Sequence, residues 1–182
     1  MQRKWPSKPS CEHARFSMII IHQFKENSRE DGLIYIISSE VHICPKCGGE
    51  LRVKDYRERQ GWSKYGDKHH YLLRRLQCKK CGAVHIELPY MLIPYKRYDA
   101  EAIESVLNGE DSDCVASIRT KKRLKRWYAR IWLPILQLLY RLMHRKQNLI
   151  HLESIVKEKP KEAGWLKTAV MSIINSGEKV PT

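Results

Sequence analysis

The sequence lacks a long apolar run, which argues against a helix that spans a bilayer. The longest such run, residues 131–140, is interrupted by Pro134 and Gln137 and has an arginine on either side. It falls well short of the roughly 20 apolar residues that a bilayer requires. The apolar run at Met18 is too short for the core of a secretory signal, and no small-residue cleavage site follows it. We therefore expect a cytoplasmic protein whose cysteines stay reduced.

Acidic residues are missing from residues 114–152, a stretch of 39 residues that holds ten Lys and Arg. Residues 44–98 are also basic, with 13 basic and 5 acidic side chains, whereas residues 99–113 have six acidic side chains and no basic one. The whole chain has 182 residues and a formal net charge of +14. Basic blocks of this kind indicate a polyanionic partner, which we expect to be nucleic acid; a solubilising surface is the alternative.

Motifs typical of catalysis are also missing. The sequence has no phosphate-cradling glycine loop, no G-x-S-x-G and no H-E-x-x-H. Its acids cluster in residues 99–113 rather than at separate strand ends, where a metal-dependent nuclease needs them. We interpret Asp99, Glu101 and Glu104 as charges that suit the start of a helix. The sequence therefore predicts a protein that is not an enzyme.

The pattern of apolar residues predicts an α+β fold, with a small β-rich zinc ribbon followed by helices. Residues 1–17 show no periodicity and are predicted to form a disordered tail. Residues 18–98 form the predicted β-rich domain, which ends in a tyrosine-rich linker from residue 90 onward. Its strand-like segments are residues 16–24, 33–38, 50–59, 71–77 and 83–88, and a helix is the alternative for the first of them. Residues 99–182 are predicted to be a helical domain.

Capping residues place the helices of this second domain. Asp99 is the expected N-cap of a first helix that ends at Gly109. A short helix fits residues 112–117, and Thr120 can cap a long third helix. Pro134 is expected to kink or restart that helix, because it cannot donate a hydrogen bond to the preceding turn. A last amphipathic helix is predicted for residues 164–174.

Two Cys-x-x-Cys pairs give the strongest chemical signal in the sequence. Cys44 and Cys47 form one pair, and Cys78 and Cys81 form the other, each followed by glycine. Two residues between thiolates allow one tight turn to present both sulfurs to an ion, and the glycines permit the positive φ of such turns. Two pairs complete a tetrahedral four-sulfur site. We predict one structural Zn²⁺, with iron in a rubredoxin-like site as the alternative.

Other metal-binding side chains lie near this pattern without belonging to it. We expect the neighbouring histidines to be surface or core residues rather than ligands: His42, His69, His70 and His85. Cys11 lies in the predicted tail. Cys114 lies in the predicted short helix, where a free cysteine is most often a small buried apolar residue.

A basic helix is the second signal. Residues 119–126 hold six cations, and Leu124 and Trp127 follow at a spacing that lets one side of the helix pack. An acidic helix, a short helix and a basic helix in this order are typical of a helix-turn-helix with the third helix as reader. We assign groove contacts to Arg119, Lys122 and Arg126, and phosphate contacts to Lys121, Arg123, Lys125 and Arg130. A solvated face of a helical bundle is the alternative.

The β-rich part carries further cations and aromatic side chains that could contact nucleic acid. The cations are Arg52, Lys54, Arg57, Arg74, Arg75, Lys79 and Lys80. The linker adds Lys96 and Arg97 among three tyrosines, Tyr90, Tyr95 and Tyr98. These tyrosines could lie along a nucleic-acid backbone or attach the linker to the core.

The order of these motifs resembles a known family. CPKCGG, CKKCG, ELPYMLIPYKRYDAEAIESVL and a basic Trp-containing helix follow one another within residues 40–132. This order resembles a bacterial family of unknown function that joins a zinc ribbon to a helix-turn-helix and is similar to the N-terminal regions of transposases and transposon-accessory proteins. The resemblance implies DNA binding. The reader helix departs from the family pattern, since Ile118-Arg119 is separated here from Arg126-Trp127.

We therefore expect a nucleoid-associated protein that binds double-stranded DNA with sequence or structure specificity. It would act as a mobile-element regulator or recombination accessory, with a recombinase, a transposase or a second copy of itself as protein partner. One alternative is an RNA-binding ribbon protein that stacks unpaired bases on Trp62, Tyr65 and Tyr71. Another is a membrane-surface protein that uses residues 124–146 as a basic amphipathic helix, which requires Leu133, Leu136 and Leu139 to be exposed.

Overall fold

The computed structural model of the chain describes residues 17–110, 114–144, 163–177 and 180. Residues 1–16 of the predicted tail, and with them Cys11, lie outside the described residues. The last residue of that predicted tail, Ser17, is the first residue of a strand.

A six-stranded sheet occupies the N-terminal half of the described chain. Its strands are β1 (Ser17–Ile21), β2 (Phe24–Ser28), β3 (Leu33–Ser38), β4 (Leu51–Trp62), β5 (Lys68–Cys78) and β6 (Val84–Pro89). Buried positions alternate along much of β5, as expected for a strand inside a sheet. The apolar core of the sheet includes Ile21, Ile36, Leu73 and Leu88.

β5 is the central strand and pairs along both of its edges. β4 pairs antiparallel with it along its whole length, from Leu51 opposite Cys78 to Trp62 opposite Lys68. Two strands share the remaining edge: β3 runs parallel beside residues 70–72, and β6 runs antiparallel beside residues 75–77. β2 pairs antiparallel with β3, and β1 pairs parallel with β6. This order brings the first strand beside the last one.

The apolar run at residues 16–24, predicted as one strand, is divided between β1 and β2. The chain turns at His22 and Gln23, whose backbone N–H groups both donate to a carboxylate oxygen of Glu40 at 2.6 Å. This carboxylate lies 17 residues or more away in the sequence, so the local pattern gave no sign of the break.

Three helices follow in the described residues: α1 (Ala100–Asn108), α2 (Ile118–His144) and α3 (Trp165–Asn175). The predicted caps of α1 are confirmed. The Asp99 side chain accepts a hydrogen bond from the N–H of Ala102, and Gly109 ends the helix at φ 88°. α3 starts after Gly164 and ends beside Ser176, one residue from each predicted boundary.

α2 differs from its prediction at two points. Ser117, rather than Thr120, caps its start, since the Ser117 hydroxyl accepts the N–H of Thr120 at 3.3 Å. The described part of the predicted short helix, residues 114–117, is not helical. Pro134 lies inside α2, and the helix continues through it to His144 without a restart. No helix in the described ranges is both long and apolar enough to cross a membrane.

The three helices surround one apolar core, which includes Ile103, Trp127, Ile135 and Leu166. Ile174 packs against this core and also against the core of the sheet. The chain is thus a mixed α and β protein in which the helices pack beside the sheet. A zinc ribbon followed by a helix-turn-helix is a finer description and stays a prediction.

Candidate metal centre and nucleic-acid interface

The first Cys-x-x-Cys pair forms a tight turn before β4. The carbonyl of Cys44 accepts the N–H of Cys47 at 3.3 Å and the N–H of Gly48 at 2.8 Å. Gly48 has φ 68°, which a residue with a side chain rarely adopts. The N–H of Cys44 donates to the carbonyl of Gly49 at 2.8 Å and closes the turn.

The second pair repeats this turn after β5. The carbonyl of Cys78 accepts the N–H of Gly82 at 3.0 Å, and the N–H of Cys78 donates to Ala83 at 2.9 Å. The register of β4 and β5 sets Leu51 opposite Cys78, so the two turns lie side by side at one end of the hairpin. Gly49 lies against the sulfurs, since a Cβ there would be 3.0 Å from Cys78 Sγ. The glycine therefore leaves room for the cluster.

The four predicted ligands come together. Their sulfur atoms all lie within 4.8 Å of one another, and none of the four cysteines forms a disulfide. Cys44 Sγ is 3.7 Å from Cys81 Sγ, and Cys47 Sγ is 3.5 Å from Cys78 Sγ. Tetrahedral Zn²⁺ with bonds of about 2.3 Å would hold its sulfurs roughly 3.8 Å apart. The cluster is therefore compatible with a metal site.

Two thiols of the cluster differ in their pKa values. The backbone N–H of Cys81 donates to the sulfur of Cys78 and lowers the pKa of that thiol to about 6. At Cys47 the Gly49 N–H favours the thiolate, but hydrogen bonds with the neighbouring thiols and burial outweigh it and raise the pKa to about 12. Thiols this close cannot all ionise readily without a cation among them, because their charges repel one another.

A buried histidine extends the site beyond the four cysteines. His85 on β6 is 1% exposed, and its Nε2 lies 3.3 Å from Cys44 Sγ. Its Nδ1 is hydrogen-bonded to the hydroxyl of Ser17, the residue opposite it on β1. Burial lowers the pKa of His85 and so favours the neutral ring. When Ser17 donates to Nδ1, Nε2 carries the proton and donates to the sulfur.

The other three histidines lie outside the sulfur cluster. His42 is 3.8 Å from carboxylate oxygens of Glu40 and Glu87, and His70 is 2.6 Å from Glu58. His69 packs against a tyrosine ring. The fourth histidine, His85, is also not among the four grouped ligands, but it contacts one of them. Sequence reasoning missed this contact because it joins β6 to the first cysteine turn, 41 residues earlier in the chain.

The basic residues of α2 lie on its solvent side. The side chains of Leu124, Trp127 and Ile131 are buried in the helical core. Six of the seven predicted contact residues are exposed and Lys121 is half-buried; the exposed ones are Arg119, Lys122, Arg123, Lys125, Arg126 and Arg130. Within the described ranges, Arg119, Lys122, Arg123, Arg126 and Arg130 form no ion pair with a carboxylate. The face therefore keeps a net positive charge.

The linker adds a further cation to this surface. Lys96 Nζ lies 4.1 Å from the centre of the Trp127 ring. Burial, together with the charges of Arg123 and Arg130, lowers the pKa of Lys96. The three cations therefore lie close enough to repel one another, and an anion placed among them would relieve that repulsion.

Several cations of the sheet are occupied by carboxylates instead. Arg74 donates to both carboxylate oxygens of buried Glu87 at 2.6 and 2.9 Å. Arg75 pairs with Asp55, and Lys79 pairs with Glu50. Of the seven sheet cations named in the sequence analysis, five are exposed: Arg52, Lys54, Arg57, Lys79 and Lys80. The basic surface of the sheet is therefore smaller than its sequence indicates.

The residues on which the two alternative hypotheses depend differ in their exposure. Tyr71 is 8% exposed and lies in the core of the sheet, so it cannot stack an unpaired base. Tyr65 is exposed and Trp62 is half-buried. On α2, Leu133 is 62% exposed but Leu139 is fully buried, so the leucines do not form one apolar face for a membrane.

Comparison with known proteins places a family match over this region. Residues 44–127 match the family described as Domain of unknown function (DUF6431). The match begins at the first ligand cysteine and ends at Trp127, so it spans both cysteine pairs, α1 and the basic start of α2. No curated protein matches the chain, and no solved structure matches it. The matched family and the family that the sequence resembles are both of unknown function. The match gives no indication of similarity to a transposase.

Proposed function

We propose that the protein binds double-stranded DNA through the cationic face of α2. The observation that carries this proposal is the row of exposed cations on the first part of α2, above a buried side formed by Leu124, Trp127 and Ile131. A helix fixed along one side by its core can present the other side to a groove or to phosphates. Arg119, Lys122 and Arg126 then face the bases, as the sequence analysis assigns.

Phosphate contacts fall to the cations around Trp127. Arg123 and Arg130 lie near Lys96, so this cluster can neutralise phosphates of one strand. Lys121 and Lys125 belong to the same proposed set. Phosphate contacts supply affinity and register, whereas contacts to base edges supply sequence preference.

The metal centre has a structural role in this proposal. Cys44, Cys47, Cys78 and Cys81 would hold one Zn²⁺, and four thiolates would leave the ion no open position for a substrate. When bound, the ion neutralises the thiolates and fixes the end of the hairpin. The resemblance to transposon-accessory families supports a role as a mobile-element regulator or recombination accessory, with a recombinase, a transposase or a second copy as partner.

A double substitution in α2 tests the proposal. Lys122→Ala with Arg126→Ala should weaken duplex-DNA binding by at least about 2 kcal/mol, roughly 30-fold, since two contacts of about 1 kcal/mol or more are removed. Fluorescence anisotropy with a labelled duplex library measures the affinity. The matched control is Lys25→Ala with Arg141→Ala, which removes the same charge from exposed positions outside the proposed contacts.

Equal losses in the two double variants would mean that only net charge matters and would overturn the assignment to α2. Competition with single-stranded RNA in the same assay addresses the RNA hypothesis. We expect duplex DNA to be the stronger competitor. An RNA that displaces the duplex at equal concentration would favour the RNA hypothesis instead.

A further inference from the structure

A cavity of about 620 Å³ opens on the face of the sheet, apart from the sulfur cluster. Its floor is apolar and comes from β5 and β6, where Leu73, Ile86 and Leu88 are each less than a tenth exposed. Met18 of β1 continues this floor. The volume lies within the range of roughly 300–1,000 Å³ that is typical of small-molecule sites.

The wall of the cavity is mostly cationic and firmly held. Lys96 and Arg97 of the linker line one side, and Arg57 lines the side formed by β4 together with one carboxylate, that of Glu58. The guanidinium of Arg59 donates to the carbonyl oxygens of Ile93 and Lys96, which ties the linker to β4. The cavity therefore combines an apolar floor with an edge on which positive side chains outnumber the one carboxylate.

Tyr95 at the wall of the cavity has a strained backbone. It follows Pro94 in a turn closed by the hydrogen bond from Lys96 N–H to the carbonyl of Ile93 at 3.2 Å. Its φ is 61°, the single positive φ of a non-glycine residue in the described ranges. Glycine would adopt this conformation without steric cost, and strained residues of this kind concentrate at binding sites. The tyrosine side chain is 66% exposed and lines the cavity.

The cavity adjoins the proposed DNA-binding face. Lys96 lines the cavity, and it also lies over Trp127 of α2 and within the field of Arg123 and Arg130. A strand whose phosphates contact these cations would therefore pass the mouth of the cavity.

We propose that the cavity binds one unpaired nucleotide of the DNA held by α2. The base would lie over Leu73, Ile86 and Leu88 and stack on Tyr95, while its phosphate would contact Lys96 and Arg97. Every base, whatever its identity, has an aromatic face that can stack on such a platform, and cations at the edge of the cavity can contact the phosphate backbone. This inference rests on the proposed function and narrows its substrate to duplexes with a bulged or extruded nucleotide. A free mononucleotide shares the same chemistry, so the test includes it.

The test compares a duplex that carries a single-nucleotide bulge of 2-aminopurine with the same duplex lacking the bulge. We expect the full-length protein to bind the bulged duplex at least tenfold more tightly and to change the 2-aminopurine fluorescence. Tyr95→Gly should abolish this preference while the affinity for the perfect duplex stays within twofold. Its thermal midpoint should be unchanged or higher, because glycine relieves the strained φ. Tyr140→Ala, at an exposed tyrosine outside the proposed contacts, is the control and should keep the preference.

The outcomes separate this inference from the proposed function. Equal affinity for the two duplexes would overturn the cavity assignment and leave duplex binding intact. Loss of the preference in Tyr140→Ala as well as in Tyr95→Gly would also overturn it. Binding to neither duplex would overturn the proposed function and the inference with it. In a separate experiment, AMP is titrated against the protein. If the protein binds AMP but shows no preference for the bulged duplex, the cavity is a site for free nucleotides, which contradicts binding of a nucleotide within a DNA strand.

Discussion

At the scale of single residues, His85 links the sulfur cluster to β6 and, through Ser17, to β1. It is buried, contacts Cys44 Sγ through Nε2 and is oriented by Ser17 through Nδ1. A donor placed on a thiolate stabilises the negative charge and fixes the direction of the sulfur. His85 is therefore expected to tune a metal in the cluster without being a ligand itself.

Substitution of His85 tests this role. His85→Phe should lower the metal affinity of the protein about 10- to 100-fold, because the hydrogen bond to Cys44 Sγ is lost. His85→Gln should restore most of the affinity, since its amide can donate from a similar position. Titration with a competing chelator measures both, and His22→Gln at an exposed histidine is the control. Unchanged affinity in His85→Phe would contradict the role.

The four cysteines could be predicted from the sequence, whereas the role of His85 could not. A Cys-x-x-Cys spacing is local, so both pairs can be identified in the sequence whatever the structure of the residues between them. The contact of His85 with Cys44 joins residues 41 apart in the sequence, and the hydrogen bond that orients His85 joins it to Ser17, 68 residues away on a paired strand. Three histidines near the cysteines had equal claims in the sequence, and strand register alone separates His85 from them.

At the scale of elements, Glu104 connects α1 to α3. It is 5% exposed, and its two carboxylate oxygens accept the N–H of Gly164 at 2.7 Å and of Leu166 at 2.8 Å. The sequence analysis interpreted Glu104 as a charge at the start of its own helix. The structure shows that it instead satisfies backbone donors at the start of α3, which otherwise lack partners.

Removal of this carboxylate should loosen α3. We expect Glu104→Ala to lower the free energy of unfolding by about 2 kcal/mol, since buried N–H groups left without an acceptor cost roughly 1–3 kcal/mol. Glu101→Ala on the same helix is the control, and its exposed pair with Lys64 should contribute less than about 1 kcal/mol. Urea unfolding followed by tryptophan fluorescence compares them. Equal losses in the two variants would refute the connection.

Helix boundaries were predictable where the capping residues are next to the helix in the sequence. Asp99 and Gly109 bound α1 through contacts within four residues, so the sequence pattern identifies them. The continuity of α2 through Pro134 was not predictable, because it depends on packing. Ile131, Ile135 and Leu138 are buried on both sides of the proline, and their burial compensates for the hydrogen bond that it removes.

At the scale of the whole molecule, the sheet is assembled from distant pairs. β1 lies beside β6 and β3 lies beside β5, both in parallel. Alternation of apolar residues predicts that a segment is a strand but does not specify its partner. The antiparallel pair of β4 and β5, with the cysteine turns at its end, joins neighbouring segments, and the sequence analysis predicted a strand within each. The insertion of this pair into a six-stranded sheet was not predicted.

Loss of one cysteine should release the metal from the whole molecule. We expect purified wild-type protein to hold one zinc per chain and Cys44→Ser to hold less than a tenth of that, with a lower thermal midpoint. Cys114→Ser is the matched control, because Cys114 is also buried and free but lies outside the cluster. Elemental analysis measures the zinc. Unchanged zinc in Cys44→Ser would contradict the assignment of the centre.

The central claim is that the cationic face of α2 contacts the phosphates of DNA. The salt dependence of duplex binding tests this claim most directly. Each neutralised phosphate contributes about 0.9 to the negative slope of log K against log of the salt concentration. Arg123→Ala with Arg130→Ala should therefore make the slope shallower by about 1.8. The Lys25→Ala with Arg141→Ala control should leave the slope unchanged. Equal slopes in the wild-type protein and in the Arg123→Ala with Arg130→Ala variant would contradict the claim.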